Sequence, residues 1–589
     1  MIRAWRRIAV PAAAFALVLA AVPAAVGFAD EPPKAGPSEP AAPPAPTPKA
    51  GNQEEAAKAF DQGEVKREEG KWLEAVKFFG DAVNADEGMW LGNVRYQEAA
   101  LAAGAGADLV KEYDTLVKEK PDDLPLKLHR MRLDPPALRI EALNAMLKAK
   151  PGERLALLEL GRALLAMGDA EKAKKALEAV WAQRPEVGEP LYLSAEALRK
   201  SGDAAGARAR LEGAVKQSPE LFEAILDLSR LDLLEGKFED ALKRADSVLT
   251  MRPSYLAAML IRSEACLRLG KVEDARAALD TALRVNPDDA EALVASADLM
   301  AKGAKEEGLK KAVELYRKAL ASKTAPQLRA LYGLGWAQER LGMLPEAASS
   351  YREASLLAPS DAAIVNSVGV VFLKQKKFAD ALLQFKKAID LDPLSPEAYS
   401  NTGAVSDEQS DWNEAIKWYM KVLALKGQDK NVRALLNAAF DHEALSGYKK
   451  AEELLLRVRV IRPDDAEVAT YYGDNQFFQH KWKNAIKAYQ DATKLDEKNR
   501  FAWRGLGLSL VQDDKDEDAV APLEKAKALK KDDPATLLAL GDIYSGNGDA
   551  RDLPKAVENY EAYLKAGGSN TDVQTIVDEI KKEIAAGKK

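Results

Sequence analysis

The stretch AMLIRSEACLRLGKVEDARAALDTALRVNPDDAEAL, residues 258–293, contains two helical periods and a stop. From Leu256 to Leu269 apolar residues recur every three or four positions, the spacing of an amphipathic helix. Gly270 ends it, because glycine takes the left-handed backbone of a helix C-terminus without steric cost. Val272 to Val285 reads as a second helix. Asn286-Pro287-Asp288-Asp289 closes the unit: proline resists continuing a helix, and Asx residues favour turns. Two antiparallel helices approach closely only where side chains are small, so Ser263 on the first is expected to face Ala275 on the second.

Outward from this stretch the pattern repeats. Pro185, Pro219, Pro253 and Pro287 stand 34 residues apart, as do Ala173, Ala207, Ala241 and Ala275. The alanine returns as Ala347, Ala381 and Ala415, then as Ala451, Ala485 and Ala519. The slot of Ser263 is filled elsewhere by Gly161, Ala195, Ser229, Ala297, Gly335, Gly369, Gly403, Ala439, Gly473, Gly507 and Gly541. A fixed period of this length marks a solenoid of helical hairpins.

The units resemble tetratricopeptide repeats. Leu334-Gly335, Gly342, Ala347, Tyr351, Ala354 and Pro359 follow that family's pattern, and so do Trp503, Leu506-Gly507, Ala519, Leu523 and Ala526. The resemblance implies an all-α fold, an α-solenoid (a right-handed superhelix) of about fifteen helix-turn-helix units over residues 54–568. The unit beginning near 124 is four residues short and carries Pro135-Pro136 between its helices; the units near 290 and 534 carry insertions. Residues 569–589 read as a final amphipathic helix with a lysine-rich end, the solvated cap that such arrays need.

The N-terminus is different in kind. Arg3, Arg6 and Arg7 precede an apolar run to Val26, and Gly27-Phe28-Ala29 offers small residues for cleavage, so residues 1–29 read as a secretory signal peptide. The length of the run also fits a retained membrane anchor. Residues 30–53 hold eight prolines and read as an extended linker. An exported chain is thus expected, periplasmic or extracellular, with no stable membrane span after cleavage. Its one cysteine, Cys266, excludes an internal disulfide. A net charge of −7 without a basic cluster argues against nucleic acid as partner, since phosphate neutralisation supplies most of that affinity.

Catalytic chemistry is not legible. His129, His442 and His480 fall in three different units without metal-ligand spacing, and Cys266 fills a core slot. Gly333-Leu334-Gly335 and Gly505-Leu506-Gly507 lie inside helices with no preceding strand, unlike a phosphate loop. No enzyme activity, cofactor or metal is expected.

The resemblance instead directs attention to the inner positions of the first helices, which in that family usually carry ligand recognition. The ninth position reads Glu64, Glu98 and Arg162 early in the chain, then Trp336, Val370 and Phe440, and later Leu508. Nearby inner positions add Tyr332, Leu373, Leu436, Phe477 and Phe501, and Asn401 and Asn437 share the sixth position of consecutive units. These eleven residues, from Tyr332 to Leu508, form the expected binding groove for other envelope proteins or extended peptides. The same aromatics also suit packing between repeats, or stacking on a carbohydrate such as peptidoglycan. The Lys and Asn pair of the family's carboxylate clamp is absent.

Overall fold

The computed structural model describes residues 53–86, 89–183, 188–219, 221–303, 305–322, 325–570 and 572–587. The leader expected at 1–29 lies outside the described residues, as does the linker expected at 30–53 apart from Gln53. Among the described residues the chain forms thirty-one helices and no strand. They follow one another two to a repeat from Gln53–Glu68 to Leu553–Lys565, and Asp572–Ala585 comes last. Contacts run almost wholly between helices adjacent or next-but-one in sequence, the signature of a solenoid. The chain divides into two compact units, one ending at Ile225 and one beginning at Leu226.

The hairpin read from the opening stretch is Leu256–Arg268 followed by Val272–Val285. Gly270 sits between them at φ 76°. Its N–H donates to the Leu267 carbonyl at 3.2 Å and the Lys271 N–H to the Cys266 carbonyl at 2.8 Å, the two bonds of a Schellman cap. The same left-handed position recurs in later hairpins without glycine: Lys376, Ser410, Ser446, His480 and Asp514 have φ of 56–61°. His480 is therefore a turn residue.

Packing inside the hairpin differs from the sequence reading in one respect. The alanines are buried as expected; Ala275, Ala347, Ala381, Ala415, Ala451, Ala485 and Ala519 are all 0% exposed. The glycines of the first helices, however, face the large residue four positions beyond the alanine. A Cβ on Gly335 would stand 2.8 Å from the Tyr351 ring, on Gly369 2.5 Å from Phe385, on Gly473 2.7 Å from Tyr489 and on Gly541 2.5 Å from Tyr560. The ring lies on bare backbone, and Leu523 takes the same place against Gly507. Tyr489 is flanked on both sides, since a Cβ on Gly505 of the next repeat would meet it at 2.4 Å.

Where the wedge is tyrosine, its hydroxyl donates to a carboxylate of the first helix: Tyr351 to Glu339 at 3.0 Å, Tyr419 to Asp407 at 2.6 Å, Tyr489 to Asp474 at 2.8 Å, Tyr560 to Asp542 at 2.8 Å, and Tyr316 to Asp298. Burial pushes these phenols up, so they remain protonated donors. In much of the second unit the core is thus built on ring-on-glycine contacts, and each tyrosine among them has its hydroxyl satisfied. The last helix closes this core with Val573, Val577 and Ile580.

The first unit is built less regularly. Pro135 and Pro136 shorten the third repeat: Leu124–Met131 is one short helix, and Pro136–Ala149 packs on Arg154–Ala166. Charges read as inner-face groups are here locked in ion pairs. Glu64, only 3% exposed, lies 3.1 Å from Arg95, which also holds Glu98 at 2.8 Å and Glu223 at 2.7 Å. Glu223 is 128 residues further along the chain. Arg162 pairs with Glu159 and Glu189, and Arg132 reaches the same Glu159 at 2.9 Å. His129 is buried beside them; burial, then Arg132 and Arg162, hold its imidazole down at about 3.

Three outcomes follow from these arrangements. Ser410→Gly relieves a left-handed serine and raises stability by about 0.5–1 kcal/mol, whereas Gly270→Ala lowers it by about 1 kcal/mol; denaturant midpoints of the two variants should move in opposite directions. Gly473→Ala destabilises by about 1–3 kcal/mol, although alanine is the better helix former by about 1 kcal/mol, because the new methyl strikes the Tyr489 ring. Hydrogen exchange should show the loss confined to the repeats around 432–533. For His129 the unfolded chain takes up a proton near pH 6.5 and the folded chain only near 3, so stability is complete above 6.5 and declines as pH falls towards 3. Between pH 7 and 5.5, above most carboxylate titration, the first unit should melt progressively lower, and His129→Phe should flatten that slope; equal slopes contradict the assignment.

Candidate peptide-binding face of the second unit

Six first helices carry the candidate residues: Gln327–Arg340, Ala362–Lys374, Pro396–Glu408, Val432–Ala444, Ala466–Phe478 and Arg500–Gln512. Each starts at a cap or a proline that fixes its register. Asp361, Asp465 and Asn499 accept from backbone N–H groups of their first turns, as do Ser395 and Asn431. Equal starts place equivalent positions of successive repeats on one side of the array.

Ten of the eleven residues are half-buried, and Asn401 is buried. Eight of the nine apolar and aromatic ones fall into three groups. Tyr332, Trp336, Val370 and Leu373 all pack against one cluster built on Tyr351, Phe372 and Phe385. The Tyr332 ring lies 5.5 Å from that of Tyr351, and the Arg340 guanidinium is 5.8 Å from the Trp336 ring. Leu436 packs on the next cluster, around Tyr419 and Leu455, and the Phe440 ring meets Tyr471 edge-on at 5.1 Å. Phe477 and Leu508 share the last cluster, with Tyr489 and Leu523. Phe477 also meets Trp482 edge-on at 5.0 Å. Phe501 stands apart from these groups, with the Arg500 and Arg504 guanidiniums 3.9 and 5.4 Å from its ring. Except for Phe501, each apolar residue thus packs on one side and keeps part of its surface open.

The asparagines are engaged with neighbours. Asn401 donates to Asn366 at 3.0 Å and accepts from Arg433 at 3.4 Å, a ladder across three successive first helices. Asn437 lies near the Tyr419 hydroxyl, where it slightly offsets the upward push of burial and of Asp407 on that phenol. Asn366 and Arg433 were not singled out in the sequence; their offset from the sixth position hides the ladder from a column-by-column reading. Lys374 was missed for a similar reason. It joins Glu339 of the preceding repeat at 2.7 Å, and Glu339 in turn accepts from Tyr351. Polar groups along this face therefore brace repeat against repeat, and the surface left between them is apolar and aromatic.

Among the described residues no group of three or more His, Cys, Asp or Glu side chains is arranged to hold a metal ion, and no helix is long and apolar enough to cross a membrane. Cys266 is buried, which pushes its thiol up and away from the reactive thiolate.

Two family models, each described as Tetratricopeptide repeat, match residues 140–198 and 232–302 and residues 304–362, 369–430 and 473–534, together just over half of the chain. A stress-induced-phosphoprotein 1 of Caenorhabditis elegans is 25% identical over 169 residues, 28% of this chain and 50% of that protein. The BBSome complex member bbs-4 of the same organism is 20% identical over 254 residues, 42% of this chain and 54% of its own. The chain spans about half the length of these curated relatives. Among solved structures, yeast Tom70 is similar over 74% of this chain and 97% of its own, with 15% identity and a TM-score of 0.34.

Proposed function

The chain belongs to the tetratricopeptide-repeat family, whose members typically mediate protein–protein interaction, and from that premise we propose that it is a non-enzymatic scaffold holding an extended segment of a protein partner against the first helices between residues 327 and 512. One observation carries this reading. At one register the side chains change from charges such as the ion-paired Glu64 to half-buried Trp336, Val370, Ala404 and Phe440, and, past Asp474, to half-buried Leu508. Apolar surface held open on successive helices is surface that a partner covers. Bracing by Lys374, Asn366 and Arg433 keeps the helices in register, so the face is preorganised and little ordering is lost on binding.

In this reading residues 1–29 are an export leader and residues 30–53 a tether. The array runs over 54–568, residues 569–589 cap it, and the partner is another protein of the cell envelope. The partner segment presents apolar side chains at intervals, each filling a space beside one of the half-buried anchors. Aromatic anchors in such faces commonly contribute about 2 kcal/mol or more each to binding. Trp336→Ala together with Phe440→Ala should weaken the partner segment by about thirtyfold or more in a titration. Unfolding should shift only modestly, since both side chains keep part of their surface outside the core. Unchanged affinity with a large drop in melting temperature would assign both rings to packing alone and end this reading.

A further inference from the structure

The shortened third repeat leaves an open apolar cavity on the first unit that the scaffold reading does not use. The first helix of that repeat, Leu124–Met131, has 8 residues where Arg154–Ala166 of the next repeat has 13. The second helix, Pro136–Ala149, therefore lacks part of its hairpin partner. It fully buries only Leu143, whereas the corresponding helix of the next repeat, Ala170–Gln183, buries Ala173, Ala176, Leu177 and Val180. Leu138 stays 58% exposed, and Ile140 is half-buried. Between Pro136–Ala149 and Ala170–Gln183 lies a cavity of about 430 Å³, floored by Leu157, Leu160 and Leu164 of Arg154–Ala166.

Each helix contributes one face, since its lining residues recur at intervals of three or four. Ile140 makes one wall apolar, and Ala176 and Ala179 the other. The polar groups are Asn144, Lys172 and Lys175, all exposed. Lys172 pairs with Asp169 at 2.6 Å. Lys175 has no ion-pair partner among the described residues, and no carboxylate lines the cavity. Apolar walls with a few polar groups, at this size, suit a small molecule. The lining also sets its chemistry. Every lining residue is helical, so the backbone carbonyls are spent within the helices and their caps, and the one acceptor among the side chains is the Asn144 amide oxygen. An extended peptide brings N–H donors that would go unmatched here; a hydrocarbon chain brings none. The free ammonium of Lys175 favours a negative end on that chain.

We propose that this cavity binds a small amphiphilic carboxylate, with its hydrocarbon chain on Leu157, Leu160 and Leu164 and its carboxylate at Lys175. Calorimetric titration of the full chain tests this with sodium decanoate, decyltrimethylammonium chloride and sodium acetate, the two surfactants below micelle formation. Decanoate should bind at a single site, decyltrimethylammonium more weakly, and acetate not at all. Lys175 and Ala179 are exposed, so substitutions there spare the core. Lys175→Glu should weaken decanoate by about fivefold or more and bind decyltrimethylammonium at least as well as the wild type does. Ala179→Glu puts bulk and a like charge on the wall and should weaken decanoate by about tenfold or more. Lys216→Glu, at an exposed lysine of Ala204–Gln217 in the same unit, leaves decanoate binding unchanged. Equal affinity for the two surfactants, or wild-type decanoate affinity in either cavity variant, overturns the proposal. So does a capped peptide of leucine and glutamate that binds, and is weakened by Ala179→Glu, while decanoate is silent: the cavity would then hold a protein segment.

Discussion

A ring resting on a glycine sets the geometry of this molecule. In hairpin after hairpin of the second unit a Tyr or Phe, four residues past a fully buried alanine, lies against backbone that carries no side chain. The contact fixes how closely the two helices approach, and because Tyr489 touches Gly473 and Gly505 alike, it also fixes how one repeat meets the next. Packed interiors have no slack for an added methyl, so the small residue and the large one are chosen together. The tyrosine hydroxyl adds direction, since it must end on a carboxylate of the first helix.

The candidate face follows from that constraint. Once these rings, or leucines such as Leu455 and Leu523, fill the interior of the hairpins, the remaining inner positions of the first helices are left to two tasks. Some brace neighbouring repeats through polar ladders, as Asn366, Asn401 and Arg433 do; others stay partly open, as Trp336 and Val370 do. In the first unit the balance differs. There Glu64, Arg95, Glu98 and Glu223 spend their charges on one another, so its inner residues hold the unit together through ion pairs. Such pairs gain little net stability after desolvation but are expensive to break singly, which favours one arrangement over its alternatives.

Much of this was legible in the sequence. The 34-residue spacing of Pro219, Pro253 and Pro287 gave the hairpins and their boundaries, and Gly270 gave the left-handed turn between them. The partner of the small residues was misread, because periodicity shows which positions are buried and not which ring spans the gap between two columns. The tyrosine–carboxylate bonds join residues 12 to 18 apart, with the acid at different positions in different repeats, as in Glu339 and Asp474. A signal that shifts register is invisible to alignment by column. The bond from Arg95 to Glu223 has no sequence signal at all, since it depends on how several repeats stack.

The central claim is that the first helices between 327 and 512 present the binding surface. Site-specific photo-crosslinking in the native cell tests it most directly. A benzophenone amino acid at Val370, Leu436 or Leu508 lies on that surface; at Leu383, 64% exposed on a second helix, it lies elsewhere. The account predicts one common crosslinked partner from the three first-helix positions and none from Leu383. The same partner captured from Leu383, with the three others silent, would contradict it.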